Sequence, residues 1–350
     1  MAKIEIRKNP IYIEDIKTVL NLKCDWLQLK NKTILITGAT GLIGTVVVDM
    51  LQLINSEFNL NLKLLLISRH AINSEIDWIT YLVHDINEPF SYSDRVDYII
   101  HAASNTHPKL YSTAPIETIT TNLFGTFHLL NLAKENKGCR FINLSSVEIY
   151  GENLNSSTKF KETDMGYLDC NTVRAGYCEA KRTCETLCQS FYSQYNVDFV
   201  TARLCRCYGP TIKDDDTKAI SQFIKNGVNK NNIVLKSEGK QLYSYLYASD
   251  AACAILFLML NGKTAESYNV SDEKSDIHLF ELAKIIAELS EVSVVYDLPD
   301  EVEKKGFSTA TTAILDPTKI NNLGWKACYS IYNGLVRTLD IITNGVKKNE

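Results

Sequence analysis

Tyr177 and Lys181 are four residues apart in the run Tyr177-Cys178-Glu179-Ala180-Lys181. On a helix that spacing puts both on one face, one turn apart. A phenol can work as a base when a neighbouring cation lowers its pKa, and the proton it takes would come from a hydroxyl whose carbon is losing hydride. Ser146, in the upstream run Ser145-Ser146-Val147-Glu148-Ile149-Tyr150-Gly151, would hydrogen-bond the same oxygen. Tyrosine and lysine also fall at this spacing on helices that do no chemistry. Here the pair gains meaning from a loop far ahead of it, Thr37-Gly38-Ala39-Thr40-Gly41-Leu42-Ile43-Gly44. The loop follows the apolar run Thr33-Ile34-Leu35-Ile36 and precedes the helical run Val46-Val47-Val48-Asp49-Met50-Leu51. A strand, a glycine turn and a helix in that order seat a pyrophosphate at the helix N-terminus. Gly38 makes the turn, Gly41 leaves room for the phosphates, and Gly44 lets helix and strand pack closely. Thr40, Leu42 and Ile43 line the same loop. An ordinary Gly-rich turn is the bland alternative. Taken together, these residues point to oxidation and reduction at a carbinol carbon with a nicotinamide dinucleotide.

Cofactor choice is read at the end of the second strand, roughly twenty residues on. That strand is Leu64-Leu65-Leu66-Ile67, followed by Ser68-Arg69-His70, with no acidic residue to hold a ribose hydroxyl. Ser68 and Arg69 suit a ribose 2'-phosphate, because guanidinium pairs bidentately with phosphate. NADP is therefore favoured over NAD, unless Arg69 is simply solvated. Asp85 and Ile86 would flank the adenine. The strand Tyr98-Ile99-Ile100-His101-Ala102-Ala103-Ser104 would run beneath the cofactor.

These residues need a frame. Alternating apolar strands and amphipathic helices over 31–203 predict a doubly wound parallel α/β sheet of the Rossmann type, to which 247–270 returns. The less regular stretches 204–246 and 271–350 should form a smaller C-terminal substrate-binding lobe, with ligand in the cleft between lobes. Residues 1–30 carry a helical pattern through Ile13, Ile16, Val19, Leu20 and Leu22, expected to pack as an extension outside the first lobe. With 350 residues and 45% hydrophobic content, a large core is affordable. A net charge of −4 with mixed signs offers no basic face for nucleic acid. Ten scattered cysteines show no paired zinc spacing, so they read as reduced thiols of a cytoplasmic protein with no metal. The longest apolar stretch, Ala251 to Leu260, is too short to span a bilayer, and Met1 to Pro10 does not read as a signal peptide.

The landmarks then follow a known order. The Gly38/Gly41/Gly44 loop is followed by Asp85-Ile86, His101-Ala102-Ala103, Asn122 with Gly125-Thr126, and Ser146 with Tyr150-Gly151. Tyr177/Lys181, Arg203 with Tyr208-Gly209-Pro210, Tyr247 with Ser249-Asp250, and Asp316-Pro317-Thr318-Lys319 with Leu323-Gly324-Trp325 complete it. Over residues 31–340 the chain resembles the extended short-chain dehydrogenase/reductases that modify nucleotide-activated sugars. The resemblance implies that Ala102, Ala103, Ser104 and Asn122 belong to the cofactor side. Family 4,6-dehydratases carry an Asp-Glu pair after the hydroxyl residue to eliminate water; here Val147 stands in the Asp position and only Glu148 remains. That pattern is similar to UDP-glucuronate decarboxylases, as are Tyr111-Ser112-Thr113-Ala114-Pro115-Ile116-Glu117-Thr118 and the run from Arg174 to Arg182. Glu148 could equally be a structural carboxylate. Members of the family grip the substrate diphosphate with an Asn before Tyr-Gly-Pro and an Arg before Tyr-x-x-Asp. Here those positions hold Arg206 and Tyr243, so either the guanidinium has crossed the site or the substrate differs. Asn105 and His107 would line a remodelled sugar pocket, though a lone loop histidine is as readily structural.

The resemblance implies a nucleotide-diphosphate sugar as substrate and oxidation at sugar carbon 4. Decarboxylation of UDP-glucuronate is the leading expectation. NADPH-dependent reduction of a 4-keto sugar and 4-epimerisation use the same Ser146, Tyr177 and Lys181. A dinucleotide sensor without catalysis would have no need of that set. Leu123–Lys134 and Cys178–Tyr195 match helices that form a homodimer interface in the family, although plain core packing also fits them. Polysaccharide biosynthesis is the pathway such enzymes serve.

Overall fold

The computed structural model describes residues 6–72, 74–106, 108–153, 158–297 and 310–346. Its centre is a seven-stranded sheet in the order β3-β2-β1-β4-β5-β6-β10, parallel throughout. The strands are β1 (Thr33–Thr37), β2 (Lys63–Ser68), β3 (Ile79–Val83), β4 (Tyr98–His101), β5 (Arg140–Ser146), β6 (Asp198–Leu204) and β10 (Glu266–Val270). Strands buried on both faces should be apolar almost throughout, and Ile34, Leu35, Ile36, Leu64, Leu65 and Leu66 are fully buried. Strand order reverses between β1 and β4, which opens a crevice at their C-terminal ends. The helices along the crevice are α2 (Leu42–Phe58), α4 (Pro115–Glu135) and α5 (Ala175–Tyr195). Helix α4 begins earlier than the apolar pattern from Leu123 suggested, because Pro115 at its first turn presets the helical φ.

Strand β4 is shorter than its sequence pattern. Ala102 N–H still donates to Thr37 O, but the next amide, of Ala103, donates to the Thr37 hydroxyl instead. The ladder ends there, and Ala102–Thr106 becomes a loop over the crevice.

The second lobe is built around β9 (Leu242–Tyr247), flanked in parallel by β7 (Arg206–Tyr208) and β13 (Thr312–Ala313) and antiparallel by β11 (Asp276–His278). Helix α7 (Ala248–Asn261) is buried along most of its length and packs on α2, so the chain re-enters the first lobe before adding β10 to the sheet edge. At the N-terminus, Tyr12 of α1 (Pro10–Lys17) and Arg7 just ahead of that helix both bond Asp49 on α2. Its buried Asp15 accepts from Tyr247 Oη at 2.5 Å and Arg337 Nε at 2.6 Å. The extension thus joins the dinucleotide helix to the C-terminal helix (Ile331–Val346), a wider span than packing on the first lobe alone.

Candidate active site

Backbone shape builds one wall of the crevice. Gly38 has φ +69°, and a Cβ there would lie 2.7 Å from the Ala102 carbonyl carbon and the Ala103 nitrogen. A Cβ on Gly44 would lie 2.2 Å from Gly38 O. Only glycine fits at either point. Gly41 caps α2 without a side-chain bond, leaving the positive helix end clear for an anion. The cradle therefore fits a dinucleotide pyrophosphate, with Thr40, Leu42 and Ile43 around it. Behind the cradle, Thr37 Oγ1 accepts from Ala103 N at 3.1 Å and shares a hydrogen bond with His101 Nδ1 at 2.8 Å. Burial and the nearby Lys181 push the His101 imidazole down to about 3, so it stays neutral. Asn122 is fully buried; it accepts from Ser104 Oγ at 2.9 Å and donates to Thr118 O at 2.7 Å, steadying the Ser104 loop from behind.

At the adenosine end, Arg69 and Asp85 are both exposed. The Asn87 backbone N–H, helped by Arg69, holds the Asp85 carboxyl below its usual range. Ser68 Oγ accepts from His70 N at 3.2 Å. Ile86, expected beside the adenine, is buried and meets Gly125, where a Cβ would come within 2.8 Å of it.

Ser146, Tyr177 and Lys181 meet at the C-terminal end of β5. Tyr177 hydrogen-bonds Ser146 and stacks on Tyr111, ring centroids 4.8 Å apart. The buried Lys181 donates from Nζ to Leu144 O at 2.8 Å. Burial drives the Tyr177 phenol above its ordinary value, against the opposing pull of the Ser146 bond. The expected lowering by Lys181 does not prevail in this arrangement, for two physical reasons: the phenol is nearly sealed from water, and the ammonium is spent on a backbone carbonyl. Burial also lowers the Lys181 ammonium.

The opposite wall is made of charges. Glu148 N–H donates to Ser146 Oγ at 3.2 Å, which starts the Val147–Tyr150 turn. The Glu148 carboxylate accepts from Arg174 at 2.5 Å and from Arg206 at 3.0 Å. Burial works against its charge, but the two guanidiniums win and hold the carboxyl below its ordinary value. Arg174 lies over the Tyr111 ring at 4.8 Å and Arg206 over the Tyr243 ring at 3.5 Å. Arg206 and Tyr243 come from the neighbouring strands β7 and β9, where Arg206 pairs with Tyr245, so the stack spans adjacent strands. Tyr243 Oη donates to Ala310 O at 2.9 Å. Arg174 and Tyr111 were given no role from sequence. The signals available were the resemblance of the runs that begin at Tyr111 and Arg174 and the position of Arg174, three residues ahead of Tyr177. Asn105 lies in the loop after β4, where its carbonyl accepts from Ser104 Oγ at 3.3 Å, and His107 lies outside the described residues.

A doubly wound sheet with a glycine cradle at its switch point, and a Ser/Tyr/Lys set at the strand ends beside it, defines a two-lobed dinucleotide-binding enzyme. Residues 34–271 match the model of the NAD dependent epimerase/dehydratase family, and the chain belongs to that family. It is 30% identical to UDP-glucuronic acid decarboxylase 2 of Arabidopsis thaliana over 316 residues, covering 88% of this chain and 68% of the relative. With UDP-glucuronic acid decarboxylase 5 of the same plant it shares 30% identity, covering 87% of each. Among solved structures, UDP-glucose 4-epimerase of Thermotoga maritima with UDP-glucose superposes with a TM-score of 0.76 at 22% identity, covering 91% of this chain and 100% of that one. UDP-glucuronic acid 4-epimerase of Bacillus cereus, in complex with UDP-glucuronic acid and NAD, gives 0.75 at 20% identity, covering 89% and 99%. The chain is accordingly a nicotinamide-dependent, nucleotide-sugar-modifying enzyme of the extended short-chain dehydrogenase/reductase class.

Proposed function

We propose that this enzyme oxidises carbon 4 of UDP-glucuronate and releases the C6 carboxylate as carbon dioxide. The observation that carries this reading is the state of Glu148. Eliminating water needs an acid to protonate the leaving hydroxyl, but Val147 has no proton to give and Glu148 is held ionised by Arg174 and Arg206. A site without that acid suits loss of carbon dioxide, which needs only a ketone β to the carboxylate. The likeness to UDP-glucuronic acid decarboxylases supports the same choice.

In its ionised form, which burial opposes in the ligand-free site, Tyr177 would take the C4 hydroxyl proton while Ser146 holds that oxygen, and Lys181 would keep positive charge beneath the phenol. The nicotinamide, when bound, supplies the acceptor for the C4 hydride and its later donor. With a ketone at C4, the C5–C6 bond breaks and its electron pair moves toward the C4 oxygen, where Ser146 and Tyr177 stabilise the enolate. Solvent then supplies C5 with the proton that takes the place of the lost carboxylate. Tyr177, having gained the C4 hydroxyl proton in the first step, would return it to the C4 oxygen at the end.

Three finer points belong to the same proposal. Arg69, exposed beside Ser68, favours NADP over NAD. Helices α4 and α5 pack together and leave Ile116, Phe124, Phe127, Tyr192 and Tyr195 exposed, a surface suited to a homodimer. Ten free thiols, Cys170 and Cys328 exposed among them, fit a reducing cytoplasm, and polysaccharide synthesis is the fitting pathway. Mass spectrometry of UDP-glucuronate incubated with enzyme and either dinucleotide tests the reaction. A UDP-pentose or 4-keto-pentose with carbon dioxide supports it; unchanged substrate mass points to an epimerase or a reductase of another sugar.

A further inference from the structure

The charges around Glu148 do not cancel. One carboxylate serves two guanidiniums, and among the described residues Glu148 is the ion-pair partner of both Arg174 and Arg206. Among the described residues one positive charge is left over in a mostly buried place, which is costly without a counter-ion. Among the same residues each arginine also keeps a buried N–H without a partner, Arg174 Nε and Arg206 Nη1. Both side chains nevertheless keep some exposure to solvent, 11% and 17%. The arrangement is held rigidly: Tyr111 lies under one guanidinium and Tyr243 under the other.

Position decides which anion would complete the cluster. Glu148 N–H is bonded to Ser146 Oγ, the hydroxyl assigned to the reacting sugar oxygen, and Tyr111 is stacked on Tyr177. The surplus charge therefore sits beside the sugar ring, whereas the glycine cradle lies on the dinucleotide wall. We infer that Arg174 and Arg206, braced by Glu148, receive the carboxylate of an acidic sugar and select a uronate over a neutral hexose. The inference rests on the nucleotide-sugar reading above. In it Glu148 is a positioning residue, and Tyr243 fixes the guanidinium plane of Arg206. Guanidinium suits this task because it meets a carboxylate through two parallel N–H bonds.

The test is calorimetric binding of UDP-glucuronate and UDP-glucose to the wild-type enzyme and to Arg174→Gln, Arg206→Gln and Tyr243→Leu. The wild type should prefer UDP-glucuronate by about tenfold or more, and each arginine substitution should remove most of that preference while UDP-glucose binding stays within about twofold. Tyr243→Leu should act in the same direction, more weakly, and it carries the test with Arg174→Gln where Arg206→Gln does not fold. Equal losses for both ligands would place the arginines on the diphosphate and overturn the inference, as would an unchanged preference. Carbon dioxide release is read separately. Selective binding without release would defeat the proposed reaction and leave the recognition standing; release with the preference unchanged in the variants would do the reverse.

Discussion

The glycine cradle on the proposed dinucleotide wall of the cleft comes from one continuous stretch, Thr33 to Phe58, whereas the charged cluster on the proposed sugar wall gathers residues from four places. Ser146 and Glu148 come from the end of β5, Arg174 and Tyr177 from the start of α5, Arg206 from β7 and Tyr243 from β9. The first wall works by what it lacks: with no Cβ at Gly38 and Gly44, backbone meets backbone closely enough to leave a helix end open. The second works by what it adds, three charged groups that hold one another in place. The difference teaches where each wall is fragile. The first should fail on a single added methyl, the second on a change of charge at constant size.

The largest expected effect lies where the walls meet. Tyr177→Phe and Lys181→Ala should each lower turnover by about 10²- to 10⁴-fold, as expected for loss of a proton-transfer group, while dinucleotide affinity stays nearly unchanged. Near-normal turnover in either variant would remove the catalytic assignment. For the first wall, Gly44→Ala forces a Cβ to within 2.2 Å of Gly38 O and should cost about 1–3 kcal/mol of stability, together with most dinucleotide binding. A variant with normal melting temperature and normal affinity would show that close packing there is not required.

For the second wall, Glu148→Gln keeps size and removes charge. Carbon dioxide release should fall by about tenfold or more as the two arginines lose their brace, while UDP-glucuronate affinity is kept or rises. Equal falls in affinity and turnover would count against a bracing role. A smaller effect is expected at the adenosine end. Arg69→Ala should weaken NADP binding by about tenfold relative to NAD, and equal losses would undo the 2'-phosphate argument. Last, the raised Tyr177 phenol can be titrated directly. A raised pKa keeps the proton on to higher pH, so the ultraviolet difference between ligand-free wild type and Tyr177→Phe should show no phenolate below the ordinary tyrosine value of 10.0. Phenolate at pH about 9 would mean that Lys181 outweighs burial.

Much of the dinucleotide wall was legible in the residues themselves. Gly38, Gly41 and Gly44 are informative because backbone sterics act over a few positions, and Tyr177 and Lys181 because a helical turn does. The end of β4 was not legible. Ala102 to Ser104 look like more strand, and only the Thr37 hydroxyl, 66 residues away, takes the Ala103 amide out of the ladder. Family order puts Asn122 on the cofactor side, and the short run ahead of Ile86 puts that residue by the adenine; in this structure both side chains are buried. Glu148 could be picked out, but its state could not. It is fixed by Arg174, 26 residues on, and by Arg206, 58 residues on. The exchange of Arg206 and Tyr243 was visible as two separate departures from the family pattern, and became one feature only when adjacent strands stacked them.

The amino-acid sequence by itself determined the doubly wound sheet, the glycine cradle and the one-turn spacing of Tyr177 and Lys181, because period, turn chemistry and helical spacing act over short stretches of chain. Tertiary structure alone decided that Tyr177 is raised by burial, that Lys181 serves a backbone carbonyl, and that Glu148 is an ion between two arginines. The reason is physical. A pKa and a charge balance depend on which groups come within a few ångströms and how little water remains, and neither is encoded by the spacing of the residues that carry the charge.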